Sequence, residues 1–139
     1  MSYRFPSESW LKALDEALNH DARYAEVAKN WEGDLLFIVD SGKEGNVADG
    51  KAIYYLDLWH GKCRQALDLS SATGELPKAA FTLRSDRAQY LKILTGELDP
   101  MQAMLTRRLR VEGNMAYMLR NVPVVLDFVR CARQVPIAG

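Results

Sequence analysis

Asp99-Pro100-Met101-Gln102-Ala103-Met104-Leu105-Thr106-Arg107-Arg108-Leu109-Arg110-Val111-Glu112-Gly113-Asn114-Met115 is the stretch that decides the fold. Asp99 before Pro100 is a strong helix start. The carboxylate accepts from free first-turn amides, and proline's fixed φ suits the first helical position. The helix so begun carries Met101, Met104 and Leu105. From Arg107 to Glu112 the pattern alternates, with Leu109 and Val111 to one side and Arg108, Arg110 and Glu112 to the other, which predicts a half-buried strand. Gly113 supplies a turn and Asn114 caps a long last helix, along which Met115, Met118, Leu119, Val122, Leu126 and Val129 follow helical spacing. Pro123 lies inside that helix and should kink it.

Upstream, Ser7 can cap a first helix with Trp10, Leu11, Leu14, Ala17 and Leu18 on one face and Lys12, Asp15 and Glu16 on the other. Asn19-His20-Asp21 interrupts it. Asp21 can cap a second helix bearing Tyr24, Val27, Ala28 and Trp31, ended by Gly33. Residues 34–40 read as a strand apolar enough for burial on both faces. A loop from Ser41 to Gly50 leads to a second strand, Ala52 to His60, with Tyr54, Leu56 and Leu58 on one face and Tyr55, Asp57 and Trp59 on the other. Gly61-Lys62 fits a two-residue hairpin with glycine first. A third strand, Cys63 to Leu69, then sets Cys63, Gln65, Leu67 and Leu69 on one face. Ala79, Phe81 and Leu83 alternate in a fourth strand, Ser85 caps a helix with Ala88, Leu91 and Leu94 inward, and Gly96 closes it. The order ααβββ-β-ααβα describes an α+β fold, a mostly antiparallel sheet with helices over one face. No repeat or linker divides the chain, so residues 1–139 read as a single domain.

Composition excludes several functions. Eighteen basic and eighteen acidic residues cancel, so no global field draws nucleic acid, which is not an expected partner. Arg107, Arg108 and Arg110 form the densest basic patch, but no aromatic residues interleave with it. Arg108 and Arg110 share a face with Glu112, which suits solvated cross-strand pairing and leaves transient membrane contact open. Cys63 and Cys131 form no CxxC pair and read as reduced, buried thiols. No apolar run approaches the ~20 residues of a membrane span. The N-terminus is no secretory signal, and Pro136-Ile137-Ala138-Gly139 carries no peroxisomal or lipidation address. A cytoplasmic location is the expectation.

Candidate chemistry is sparse. His20 and His60 belong to no Cys or carboxylate ligand motif, so no metal is expected. Ser41-Gly42-Lys43-Glu44-Gly45 falls short of a phosphate loop, because Phe37 and Glu44 stand where Gly and Ser or Thr are required. No GxSxG elbow occurs. An enzyme would have to use Asp57, His60 or Asp99, and no catalytic residue is assigned. The methionines are more telling. All four internal ones lie between positions 101 and 118. Methionine adapts its shape and is over-used on promiscuous binding surfaces, whereas specific cores lean on Leu, Ile and Val. A Met-lined pocket between the late helices and the sheet is the reading.

Leu98-Asp99-Pro100-Met101-Gln102-Ala103-Met104 followed by Leu109-Arg110-Val111-Glu112-Gly113-Asn114 resembles the sterol carrier protein 2 family. In that family a short helix enters a strand of the type basic-Leu-x-Val-x-Gly-Asp/Asn, then the last helix. The hairpin around Gly61-Lys62 and the run Phe81-Thr82-Leu83-Arg84-Ser85-Asp86 also match, and the resemblance extends from about residue 8 to 132. It implies a five-stranded sheet covered on one face by helices and enclosing an apolar tunnel. It implies non-catalytic binding of a sterol, fatty acid, acyl-CoA or isoprenoid lipid, with no cofactor. The tunnel residues it implies are Leu56, Leu58, Phe81, Leu83, Met101, Met104, Leu105, Leu109, Met115, Met118, Leu119 and Val122. The implied partner is an apolar small molecule, with a biosynthetic enzyme or a membrane as a transient contact. The alternative role is an accessory scaffold that presents a hydrophobic intermediate, such as a quinone precursor, to partner enzymes.

Overall fold

The computed structural model describes residues 2–40 and 51–138, so the Ser41–Gly50 loop and its phosphate-loop reading lie outside the described residues. The elements in chain order are α1 (Glu8–Asn19), α2 (Ala22–Val27), β1 (Leu35–Asp40), β2 (Lys51–Trp59), β3 (Lys62–Asp68), β4 (Phe81–Asp86), α3 (Arg87–Thr95), α4 (Pro100–Leu105), β5 (Arg110–Gly113), α5 (Met115–Arg120) and α6 (Val122–Arg133).

Local chemistry starts most helices. Ser7, Asp21, Asp86, Asp99 and Asn114 each accept, through the side chain, from the amide three residues on. Each satisfies one otherwise orphaned donor. Two helix boundaries differ from expectation. The α3 cap is Asp86, not Ser85, because the Ser85 hydroxyl closes β4 by donating to the Arg108 carbonyl. The inward face also differs from expectation, since Tyr90 and Ile93 are buried while Ala88 is exposed and Leu91 and Leu94 are half-buried. The last helix is broken rather than kinked. Asn121, at φ −121° and ψ 34°, separates α5 from α6, and Pro123 falls in the first turn of α6, where a missing N–H costs little. The second helix also stops early, at Val27. Beyond it the chain turns so that Trp31 enters the core and its indole donates to the Gly33 carbonyl at 2.9 Å.

The sheet order is β3-β2-β1-β4-β5, antiparallel except for the β1–β4 pair. The hairpin turn is His60-Gly61, one residue earlier than Gly61-Lys62. Both residues have left-handed φ (50° and 81°), the type I′ pattern, and Trp59 pairs with Lys62. Only glycine fits at position 61, since a Cβ would sit 2.6 Å from the Ala25 carbonyl oxygen. In β3 a bulge places Asp57 opposite Gln65 but Leu58 opposite Cys63, leaving Arg64 as the extra residue. The bulge resets the alternation, so Cys63 and Ala66 point inward while Gln65 is exposed. The fifth strand begins only at Arg110, because Arg107 takes a left-handed φ of 60°.

The inner face of the sheet carries Leu35, Val39, Tyr54, Leu56, Leu58, Phe81 and Leu83 within one buried cluster shared with the helices. Leu36 and Ile38, on the opposite face of β1, are buried too, as their double-sided apolar pattern requires. The layer over the inner face centres on α6, which packs against all five other helices. Each large apolar side chain so buried contributes about 1.5–3 kcal/mol.

Candidate functional site

Between the sheet and the helices lies a cavity of about 90 Å³. The sheet side is built from β1 and β2 rows, Leu35, Phe37 and Val39 with Tyr54, Leu56 and Leu58, and from Leu83 of β4. The helix side comes from Trp10, Leu11 and Leu14 of α1, Tyr24 of α2, Tyr90, Ile93 and Leu94 of α3, Met104 of α4, Met118 of α5 and a full stripe of α6. That stripe is Val124, Val125, Phe128, Val129 and Ala132, spaced as one helical face. The wall presents no polar surface to the interior. Most of it is buried. Phe37, Leu94, Met104, Val125 and Phe128 are only half-buried, and they mark where the cavity nears solvent. There Phe37 of β1 and Phe128 of α6 stack across the gap, 5.9 Å apart and nearly parallel.

Of the twelve tunnel residues expected, Leu56, Leu58, Leu83, Met104, Leu109 and Met118 come together on this wall. Phe81 is buried off the wall, stacked on Trp31 at 5.6 Å. Met101, Met115 and Val122 are half-buried and lie outside the wall. Leu105 and Leu119 are 77% and 55% exposed and face away from it. Each follows a wall methionine by one residue, and one residue along a helix is a turn of about 100°. The wall residues not foreseen include those of α1, α2, β1 and α3, Tyr54 of β2 and the whole α6 stripe. The α6 spacing was readable in the sequence. That α1 and β1 meet it across one cavity was not.

The polar residues near the cavity do structural work. Arg130 of α6 donates from Nη2 to Asp21 Oδ1 at 2.6 Å and from Nε to Asp127 Oδ1 at 2.7 Å, while Arg23 Nε approaches the same Asp127 oxygen at 3.3 Å. This network clamps α2 to α6, and the hydrogen bond from Arg130 holds the Asp21 carboxyl down at about 2. Arg133 Nε donates to the Ile93 carbonyl at 2.9 Å and ties α6 to α3. Asp21, Asp127 and Cys131 lie close enough to suggest a metal site. Their chemistry does not fit one, because guanidinium groups occupy both carboxylates and burial pushes the Cys131 thiol up to about 11, away from the thiolate a metal needs.

The residues an enzyme would have used are likewise engaged. Asp57 takes a forked pair of bonds from Arg64 at 3.1 Å each, His60 Nε2 lies 2.6 Å from Glu32 Oε2, and Asp99 caps α4. His20 ends α1, with Nδ1 2.8 Å from the Glu16 carbonyl oxygen. The expected cross-strand pairing of the basic strand is not what forms. Arg110 stands opposite Arg84, and Glu112 stands opposite Thr82. Arg107 and Arg108 precede the strand.

Residues 11–125 match the SCP-2 sterol transfer family. The chain belongs to that family. Among solved structures similar to this SCP-2 domain, a crystal structure of sterol carrier protein 2 superposes with a TM-score of 0.83 at 30% identity, covering 93% of this chain and 97% of that one. A solution structure from Thermus thermophilus, described as possibly a sterol carrier protein, gives 0.83 at 26% identity, covering 100% and 98%. The hydroxysteroid dehydrogenase-like protein 2 of Xenopus tropicalis is 25% identical over 116 residues, 83% of this chain. The SCP-2 domain spans only 24% of that relative's length. The family is one of lipid-binding and lipid-transfer domains, typically non-catalytic. Among the described residues no helix is long and apolar enough to cross a membrane.

Proposed function

We propose that this SCP-2 domain, residues 1–139 acting as one unit, binds and carries a long apolar lipid of the sterol, fatty acid, acyl-CoA or isoprenoid type, without catalysis or cofactor. The observation that carries this reading is the cavity wall between sheet and helices, apolar throughout. A chain of ~16 carbons gains about 0.8 kcal/mol per methylene on leaving water, enough for micromolar affinity, near −8 kcal/mol, after association costs are met. The cavity of about 90 Å³ is smaller than the ~150 Å³ space that admits benzene, so a long lipid is seated by moving part of the wall. The α6 side is held by Arg130 and Arg133. The yielding side is the pair of short helices α4 and α5 that carry Met104 and Met118, and their movement opens the cavity into a tunnel. Native mass spectrometry of purified protein, with displacement of a fluorescent fatty acid, tests the reading. Absence of both bound lipid and displacement at micromolar protein sinks it.

One observation favours the scaffold role as a second reading. Leu105, Leu119 and Leu126 are exposed, and each follows a wall residue by one position. They suit an apolar contact with a lipid-handling enzyme during loading. Stable co-purification with biosynthetic enzymes selects scaffold, and a free domain with exchangeable lipid selects carrier. Two buried, unpaired thiols support a reducing compartment such as the cytoplasm.

A further inference from the structure

Phe37 stands at the centre of the covered sheet face. Its strand neighbours Leu35 and Val39 are buried, as are Tyr54 and Leu83, which stand opposite it on β2 and β4. Phe37 alone of the five is half-buried. A ring in the middle of a close-packed face keeps exposed surface only where the covering layer leaves space above it. Its partner on α6, Phe128, is half-buried too, although Val124, Val129 and Ala132 of the same stripe are buried. The two rings lie 5.9 Å apart at 9°, and Tyr90 turns an edge toward Phe37 at 6.3 Å and 66°. Both rings stand on fixed elements. Strand β1 is paired on both sides, and α6 is clamped by Arg130 and Arg133. Met104 of the softer wall lines the same mouth.

We propose that the Phe37–Phe128 pair is a stacking platform at the cavity mouth, and that the preferred ligand carries a flat unsaturated group, an aryl ring or a conjugated segment, at its solvent-side end. This rests on the carrier reading above. A flat group extends a stack of rings that are already parallel, in the offset geometry aromatic rings favour. A saturated ring or chain has hydrogens standing out of its plane and gains only burial there. The thioether of Met104 also gains from contact with a ring, which favours the same guest. No charged residue belongs to the wall, so selection by shape and ring electronics meets no competing selection by charge. The platform narrows the ligand class from any oily chain to apolar lipids with one planar end, and it holds that end at the mouth.

The test compares 4-dodecylbenzoic acid with trans-4-dodecylcyclohexanecarboxylic acid, which differ only in the unsaturation of the ring, as competitors for a bound fluorescent fatty acid. The wild-type chain, Phe37→Leu and Phe128→Leu are measured side by side. The expected result is a wild-type preference for the aryl acid of about three- to tenfold, what aromatic pairing adds beyond burial. Each variant should bring that ratio close to one by weakening the aryl acid. Hexadecanoic acid, which has no ring, should displace the probe from both variants as it does from wild type. In NMR spectra of the wild-type complex the aryl protons of the ligand should move upfield, as protons over a ring face do, and this readout needs no variant. Equal displacement by the two acids in wild type, or aryl protons that do not shift, overturns the platform and leaves the carrier reading standing. A preference kept in both variants also overturns it. So does a variant that loses hexadecanoic acid in step with the aryl acid, because the rings then serve packing alone. Failure of all three acids to displace the probe from wild type overturns the platform and the carrier reading together.

Discussion

The two helical walls of the cavity are built on different principles. The α2–α6 wall is bolted by charged hydrogen bonds, Arg130 to Asp21 and Asp127, and by Arg133 to the α3 carbonyl of Ile93. The α4–α5 wall consists of two six-residue helices that present Met104 and Met118 inward and Leu105 and Leu119 outward. It is held mainly by apolar contact, with one long-range bond from the Glu32 amide to the Tyr117 hydroxyl. Directional bonds select one geometry, while dispersion contacts and methionine rotamers accept several. A cavity bounded by one wall of each kind can change volume without losing its fold.

Removing the clamp should give the largest effect. Asp127→Ala removes the buried carboxylate that takes two charged hydrogen bonds from Arg130 and faces the exposed Arg23, and a loss of about 3 kcal/mol in urea denaturation is expected. A loss under ~1 kcal/mol would show that the two walls are held alike. Met118→Ala should cost about 2–3 kcal/mol, because Met118 is buried to 2% and truncation enlarges the cavity. Met104→Trp should fill the half-buried mouth and weaken long-chain binding by at least about tenfold, or ~1.4 kcal/mol, with the melting temperature little changed. Unchanged affinity would place the entrance elsewhere.

Acid should act on the clamp next. The folded Asp21 carboxyl titrates at about 2, below its unfolded value near 3.8, chiefly through Arg130. Its contribution is therefore complete above about pH 4 and is lost as pH falls toward 2. It amounts to about 1 kcal/mol after allowance for solvent screening. Denaturation midpoints measured from pH 5 down to 2 check this, and Asp21→Asn should flatten that part of the profile. Leu105→Ala should be smallest, under about 0.5 kcal/mol in stability, since the side chain is 77% exposed. A larger loss would mean that Leu105 holds the soft wall in place.

Where the physics is local, single residues were enough. Asp99-Pro100 and Asn114 begin helices because a side-chain oxygen three residues from an amide does so in any context. The double-sided apolar run of β1 and the alternation at Leu109 and Val111 likewise announced their burial. Register was harder. The bulge at Arg64 and the left-handed pair His60-Gly61 arise from how β3 meets β2, and one residue of slip reverses which side chains face inward.

Element order, most helix starts and the concentration of methionines beside one strand are legible in the residues alone. So is the scarcity of catalytic residue sets. Tertiary structure alone decided that only Met104 and Met118 of those methionines face the cavity, that α6 and β1 supply much of its wall, and that Phe37 and Phe128 stack at its mouth. The reason is physical. Caps and periodicity depend on neighbours a few residues away, whereas a cavity exists only where distant segments fail to fill the space between them.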